Sequence, residues 1–223
     1  MNDKLVKTTN GISVVKKTGL AAQIANAALA QTEDAGTRPN RIGIVFDDSG
    51  SMGGNPIEQA HKAIDAFVKN CNAYDTALAL YPLNAGPKKL TTSMADIALY
   101  GISIRATGGT PLFEKLGELI DNENLTRAVA FSDGQPVMNT PEYRQKLFGK
   151  FREKKVPIDT IFIGDAGDSG ARVMAEIAEA TGGVYLHFTD VSILAKSFKY
   201  LTPAYRAMLT SGEFRKKLER GEV

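Results

Sequence analysis

Between Arg41 and Phe46 the chain carries a short β-branched apolar run, Ile42, Ile44, Val45 and Phe46, which stops abruptly at Asp47-Asp48-Ser49-Gly50-Ser51. A run this short and this apolar suits a strand buried on both faces, as in a parallel sheet. Asn55-Pro56 follows, with Asn expected as the N-cap of a helix and Pro at its first position. The oxygen-bearing side chains between them therefore belong on a strand-to-helix loop at the carboxyl end of a strand, where open α/β sheets place their ligand sites. Asp47, Ser49 and Ser51 alternate at i, i+2, i+4, and hard oxygen donors gathered in this way point to Mg²⁺ or Mn²⁺. A plain turn followed by a helix cap would use the same residues without a ligand.

The remainder alternates between strand-like and helix-like stretches. The helix from Pro56 places Ile57, Ala60, Ile64, Phe67 and Cys71 on one face. Thr76 to Leu83 is expected as a second buried strand, Asn84-Ala85-Gly86-Pro87 as a turn, Lys88 to Ser93 as an edge strand and Met94 to Tyr100 as a short helix. Thr107-Gly108-Gly109-Thr110-Pro111-Leu112 then opens a helix that buries Leu112, Phe113, Leu116, Leu119 and Ile120, with Thr110 placed as an N-cap, a ligand or both. Arg127 to Phe131 is a further buried strand, ending in Ser132-Asp133-Gly134. Thr140 is placed to cap the next helix, and Val156 to Ile163 is the following strand. Asp168 or Ser169 caps a helix that Thr181-Gly182-Gly183 stops, before the last strand, Val184 to Phe188, and the last helix, Val191 to Tyr200. Strands and helices in alternation imply a mostly parallel sheet with helices on both faces.

Three motif pieces, in this order, carry a family resemblance: Asp47-x-Ser49-x-Ser51, Thr107-Gly108-Gly109-Thr110 before Leu112, and the strand ending in Ser132-Asp133-Gly134. Together they resemble the metal-ion-dependent adhesion site (MIDAS) of von Willebrand factor A (vWA) domains, in an intact form and of the intracellular bacterial or phage type; Ser132 stands where the family carries threonine. Ile177-Ala178 followed by Thr181-Gly182-Gly183-Val184-Tyr185 is similar to vWA sequences as well, so the resemblance spans roughly 41 to 200. It implies a doubly wound, Rossmann-like α/β fold with a six-stranded sheet whose Lys88 to Ser93 edge strand is antiparallel. It also implies the metal ligands Asp47, Ser49, Ser51, Thr110 and Asp133. Asp48 is an additional carboxylate whose effect on metal or ligand affinity is open.

On either side lie extensions. Residues 1–40 are expected to hold a hairpin around Asn10-Gly11, an Ala-rich helix from Ala21 to Gln31 and a linker with Gly36 and Pro39, and residues 201–223 a charged helical tail. With 223 residues the chain is long enough to bury a full core, and its net charge of +2 gives no broad electrostatic footprint for nucleic acid. Cys71 is the sole cysteine, so no internal disulfide forms, and it is expected as a small core hydrophobe. No signal-peptide core and no apolar run of about 18 residues is present, so a cytoplasmic protein without membrane insertion is the expectation. His61 and His187 match no zinc spacing.

The function expected from these features is a Mg²⁺- or Mn²⁺-dependent protein-binding module that receives a Glu or Asp of a partner on its metal. The resemblance implies an intracellular multiprotein assembly, with a MoxR-type AAA+ ATPase as an associated partner. Two other classes compete: a structural component of a large assembly with a structural metal, and a metal-dependent phosphoester hydrolase. No enzyme is expected, because no P-loop is present, Ser49 stands where an Asp-x-Asp phosphatase would carry its second aspartate, and no histidine lies near the motif pieces in sequence to act as base.

Overall fold

The computed structural model describes residues 35–134, 136–137, 139–189, 200–203, 212–220 and 222. The expected hairpin and Ala-rich helix of the N-terminal extension, and the helix expected from Val191, lie outside the described residues, apart from Tyr200.

Six strands form one sheet: β1 (Asn40–Phe46), β2 (Thr76–Pro82), β3 (Lys88–Thr91), β4 (Arg127–Ser132), β5 (Ile158–Ile163) and β6 (Tyr185–Phe188), in the order β3-β2-β1-β4-β5-β6. All neighbours are parallel except β2 and β3, which are antiparallel with an irregularity in register between Leu78 and Leu80. This is the expected doubly wound sheet with one antiparallel edge strand. The winding reverses at β1: the chain first builds outward through β2 and β3, then returns to place β4 on the other flank of β1. Asn40 to Phe46 pairs with Thr76 to Pro82 on one side, and Ile42 to Phe46 with Arg127 to Phe131 on the other.

Side-chain alternation divides the core into two layers. Ile42, Ile44, Phe46, Leu78, Leu80, Val129 and Phe131 face helices α1 (Asn55–Lys69) and α2 (Met94–Ser103). Val45, Ala79, Tyr81, Ala128 and Ala130 face α3 (Leu112–Asn122), α4 (Pro141–Glu153) and α5 (Ser169–Thr181). Cys71 packs at the margin of the first layer, and burial pushes its thiol up to about 12, which leaves it inert at neutral pH. The C-terminal helix α6 (Gly212–Glu219) is amphipathic: Lys216 and Lys217 are exposed while Leu218 is buried in the first layer, and Phe214 meets the Tyr200 ring edge-on at 5.1 Å. Among the described residues no helix is long and apolar enough to cross a membrane.

Helix ends depart from the sequence expectation in specific ways. Asn55 is already helical; the N-cap of α1 is Gly54, whose φ of 80° suits glycine, and Asn55 instead accepts a hydrogen bond from Gln59. The helix from Met94 runs on to Ser103, so Ile102 and Ser103, expected beyond its end, are helical. Thr140 caps α4 as expected, accepting from the Tyr143 N–H at 3.3 Å, whereas Asp168 occupies the N-cap of α5 without a side-chain bond. Gly182 ends α5 in the left-handed region, and the Gly183 N–H closes on Ala178 O at 2.8 Å.

That turn brings Gly183 against the first residue of β5. A Cβ at position 183 would lie 1.8 Å from the Ile158 carbonyl oxygen, and neither partner is the free end of a side chain. Gly183→Ala is therefore expected to cost about 3 kcal/mol, the upper range for overpacking a closed site, read as a lowered denaturant midpoint with unchanged slope.

Candidate metal centre

β1 and β4 lie side by side up to the pair Phe46 and Phe131, whose rings pack at 5.9 Å between centroids. The residue that follows each, Asp47 just past the end of β1 and Ser132 at the end of β4, is thus delivered to the same spot at the point where the winding reverses. Ser132 Oγ donates a short hydrogen bond to Asp47 Oδ2, and Asp47 Oδ1 accepts from the Ser49 N–H at 2.9 Å. Both Asp47 oxygens are engaged, and the residue is fully buried. A carboxylate holding the N–H two residues ahead turns the chain sharply out of the strand.

The turn continues as a 3₁₀ segment, Gly50–Met52, closed by Met52 N–H to Ser49 O at 3.0 Å and anchored by the buried Met52 side chain. The serines then line up toward solvent. Ser49 is buried, Ser51 is exposed, their hydroxyl oxygens are 3.0 Å apart, and Ser51 Oγ donates to Asp133 Oδ1 at 3.0 Å. Thr110 joins from the third loop. A Cβ at Gly134 would lie 3.7 Å from both Ser51 Oγ and Thr110 Oγ1, so both hydroxyls lie close to the Gly134 backbone. Thr110 does not cap α3: the N-cap is Pro111, with no side-chain bond. Its carbonyl accepts from the Val137 N–H at 3.0 Å, tying its loop to the one after β4.

All five residues singled out in the sequence, Asp47, Ser49, Ser51, Thr110 and Asp133, thus sit on loops at one end of the central strands. Burial raises the Asp47 carboxyl above its ordinary value against the bonds from Ser132 and Ser49. Burial also raises Asp133, and the charge of Asp47 adds to it. Two carboxylates that repel each other, with three hydroxyls and no sulfur or imidazole, form a donor set suited to a hard divalent cation. Among the described residues no three His, Cys, Asp or Glu side chains are grouped so that they could hold a metal ion, and the oxygen donors beside Asp47 and Asp133 are hydroxyls. His61 and His187 are engaged elsewhere: His61 Nε2 is 3.1 Å from Ile104 O and His187 Nε2 is 2.7 Å from Gly164 O.

Asp48 turns out to have a different task. It is fully buried, with Oδ1 accepting from Asn84 N at 2.8 Å and Asn84 Nδ2 at 3.2 Å, and Oδ2 accepting from Ala85 N at 3.1 Å. It fastens the β1 loop to the β2–β3 turn. Sequence reasoning passed over this bridge and over the role of Ser132. Ser132 was discoverable from its place beside Asp133; the Asp48–Asn84 contact spans 36 residues and has no local signal.

The two neighbouring aspartates therefore have opposite effects on folding. Asp48→Ala removes the acceptor of three N–H groups and is expected to cost about 3 kcal/mol. Asp47 and Asp133 titrate higher in the folded protein than in the unfolded chain. Their contribution is fully present below the unfolded value and lost as pH rises through the folded ones. In metal-free buffer, Asp47→Asn should gain stability over wild type as pH is raised from about 4 to about 7; urea titrations of both proteins across that range check it, and a constant difference would contradict it.

A scan against protein-family models found no match, and a search of curated proteins found no relative in sequence. Solved structures do match. A von Willebrand factor type A protein from Catenulispora acidiphila is 20% identical with a TM-score of 0.64, over 74% of this chain and 42% of that one. The vWF domain of the type V pili tip protein Mfa5 from Porphyromonas gingivalis is 14% identical with a TM-score of 0.58, over 79% and 98%. Proximal thread matrix protein 1 of the mussel byssus, with a zinc-occupied MIDAS motif, is 18% identical with a TM-score of 0.55, over 74% and 47%. The chain thus spans less than half the length of the Catenulispora and mussel proteins that it matches. The sheet order, the reversal at β1 and these matches agree: this chain has the von Willebrand factor A fold.

Proposed function

We propose that the chain is a divalent-metal-dependent protein-binding module that receives an acidic side chain of a partner on its metal. The observation that carries this reading is the continuous series Asp47, Ser49, Ser51, Asp133, joined by Thr110 across Gly134, at the carboxyl end of β1 and β4. Ser49, Ser51 and Thr110 would offer hydroxyl oxygens to Mg²⁺ or Mn²⁺. Asp133 and Asp47 would supply the negative charge, Asp47 from behind the hydroxyls because both its oxygens are already engaged. A cation held largely by neutral oxygens keeps its affinity for an outside carboxylate. Binding rather than catalysis is proposed because neither histidine ring is turned to these hydroxyls as a base. The motif resemblance supports an intracellular setting, in a multiprotein assembly beside a MoxR-type AAA+ ATPase.

Metal binding is expected to raise the melting temperature in Mn²⁺ and to be reversed by EDTA; a free Mn²⁺ concentration 100 times the Kd would add about 2.7 kcal/mol. Because the cation competes with protons on Asp47 and Asp133, whose carboxyls titrate above the ordinary range, this gain should grow as pH rises. Asp133→Ala should abolish the gain while leaving the metal-free protein folded.

Partner recognition is tested by capture in Mn²⁺ against capture in EDTA, followed by Ala substitution of each acidic residue in the mapped interface. Thr110→Ala and one partner Glu or Asp are each expected to weaken binding about 10-fold, or 1.4 kcal/mol. Capture indifferent to EDTA and to both substitutions would favour a structural metal in a larger assembly. Mg²⁺-dependent turnover of a phosphate ester, abolished by Asp47→Asn, would favour a hydrolase.

A further inference from the structure

Three successive residues, Thr107, Gly108 and Gly109, precede Thr110, and a backbone group of each is held from outside its own loop. Thr107 N–H donates to Asp48 O at 2.6 Å, Gly108 O accepts from Gly50 N–H at 3.1 Å, and Gly109 O accepts from Asn84 Nδ2 at 2.8 Å. The first two bonds are backbone to backbone and survive any side-chain change. The third is made by a side chain, and it grips the carbonyl of the peptide that leads directly into Thr110.

The geometry points to Asn84 as the positioning residue of the metal centre, holding the Thr110 loop in register with the Asp47–Ser51 loop; this rests on the metal-binding reading above. Its amide nitrogen spans two acceptors, Asp48 Oδ1 at 3.2 Å and Gly109 O at 2.8 Å. Turned over, the amide would set its oxygen against both, so the orientation is dictated. Its oxygen instead lies over Gly108, where a Cβ would approach to 2.3 Å; Gly108 has φ of 68°, and the loop bends closely around the Asn84 side chain. Asp48, fully buried and bonded to the backbone N–H groups of Asn84 and Ala85, is the fixed support from which this amide reaches across. Asn84 itself is exposed, so its bridge adds little to the core and much to the placement of one loop.

Two substitutions separate positioning from general stability. Asn84→Ala keeps both backbone bonds to Asp48 and removes the side-chain amide with its bonds to Asp48 Oδ1 and Gly109 O; Asn84→Asp sets a carboxylate against that carbonyl and against Asp48. In the full chain, Mn²⁺ affinity by titration calorimetry should fall about 10-fold in Asn84→Ala, or 1.4 kcal/mol, with the metal-free melting temperature unchanged, and should fall further in Asn84→Asp. Because the amide acts through Thr110, Asn84→Ala should weaken Mn²⁺ binding little or not at all in a Thr110→Ala background; additive losses would overturn the proposal. In the metal-free protein, amide hydrogen exchange at residues 107–110 should accelerate in Asn84→Ala while β1 and β4 stay protected. Unchanged exchange there, or acceleration throughout the domain with a lowered melting temperature, would also overturn it. A wild-type chain that binds no Mn²⁺ would remove the metal reading, and faster exchange confined to 107–110 would still support Asn84 as the residue that holds this loop.

Discussion

The parallel pairing of β1 with β4 is the constraint from which the site follows. Ile42 to Phe46 lies against Arg127 to Phe131 without a break in register, so the residues that leave the two strands, Asp47 and Ser132, emerge as neighbours. A shift by one residue would turn the apolar side chains of a strand to the wrong layer, which the two-sided core forbids. Packing energy in the sheet therefore fixes the placement of polar groups at its end. The chain needs no separate device to bring Asp47 to Ser132; it needs only to fill both faces of β1.

What happens beyond the strand ends is governed by hydrogen bonds rather than by packing. Asp47 bends its own loop through the Ser49 N–H, and Asp48 fastens that loop to the turn after β2. The adjacent carboxylates leave the backbone in different directions and do different things: one sits with the hydroxyls, the other is consumed as an acceptor for backbone N–H groups. Burial raises the first, and its charge also raises Asp133. A divalent cation between these carboxylates would relieve that repulsion.

Small residues determine how closely the loops approach. Gly134 lets the Ser51 and Thr110 hydroxyls both come close to its backbone, and Gly108 allows the Asn84 amide to lie against the chain. A third glycine, Gly170 near the start of α5, would place a Cβ 2.6 Å from Gly134 O, so the helix supports the Asp133–Gly134 loop from behind. The loops are thus rigidly backed on their inner side, and the exposed hydroxyl of Ser51 faces outward.

Among the described residues, the strand and helix order and the gathering of the five oxygen-bearing residues on loops at one end of the sheet were legible in the sequence, because apolar periodicity and the Asp-x-Ser-x-Ser, Thr-Gly-Gly-Thr and Ser-Asp-Gly spacings are local properties of the chain. Helix caps were legible only in part. Thr140 behaves as its type suggests, while Gly54 and not Asn55 caps α1, and Thr110 is no cap at all, since the backbone path into each helix is set by the loop before it. The sequence likewise does not show that Leu218, in a stretch that is otherwise charged, belongs to the core. Nor does it distinguish Asp47 from Asp48, two identical residues side by side. That distinction, and the bridge through Asn84 to Gly109, exist only once the sheet has brought together the ends of β1, β2 and β4, because hydrogen bonds between loops depend on separation in space and not along the chain.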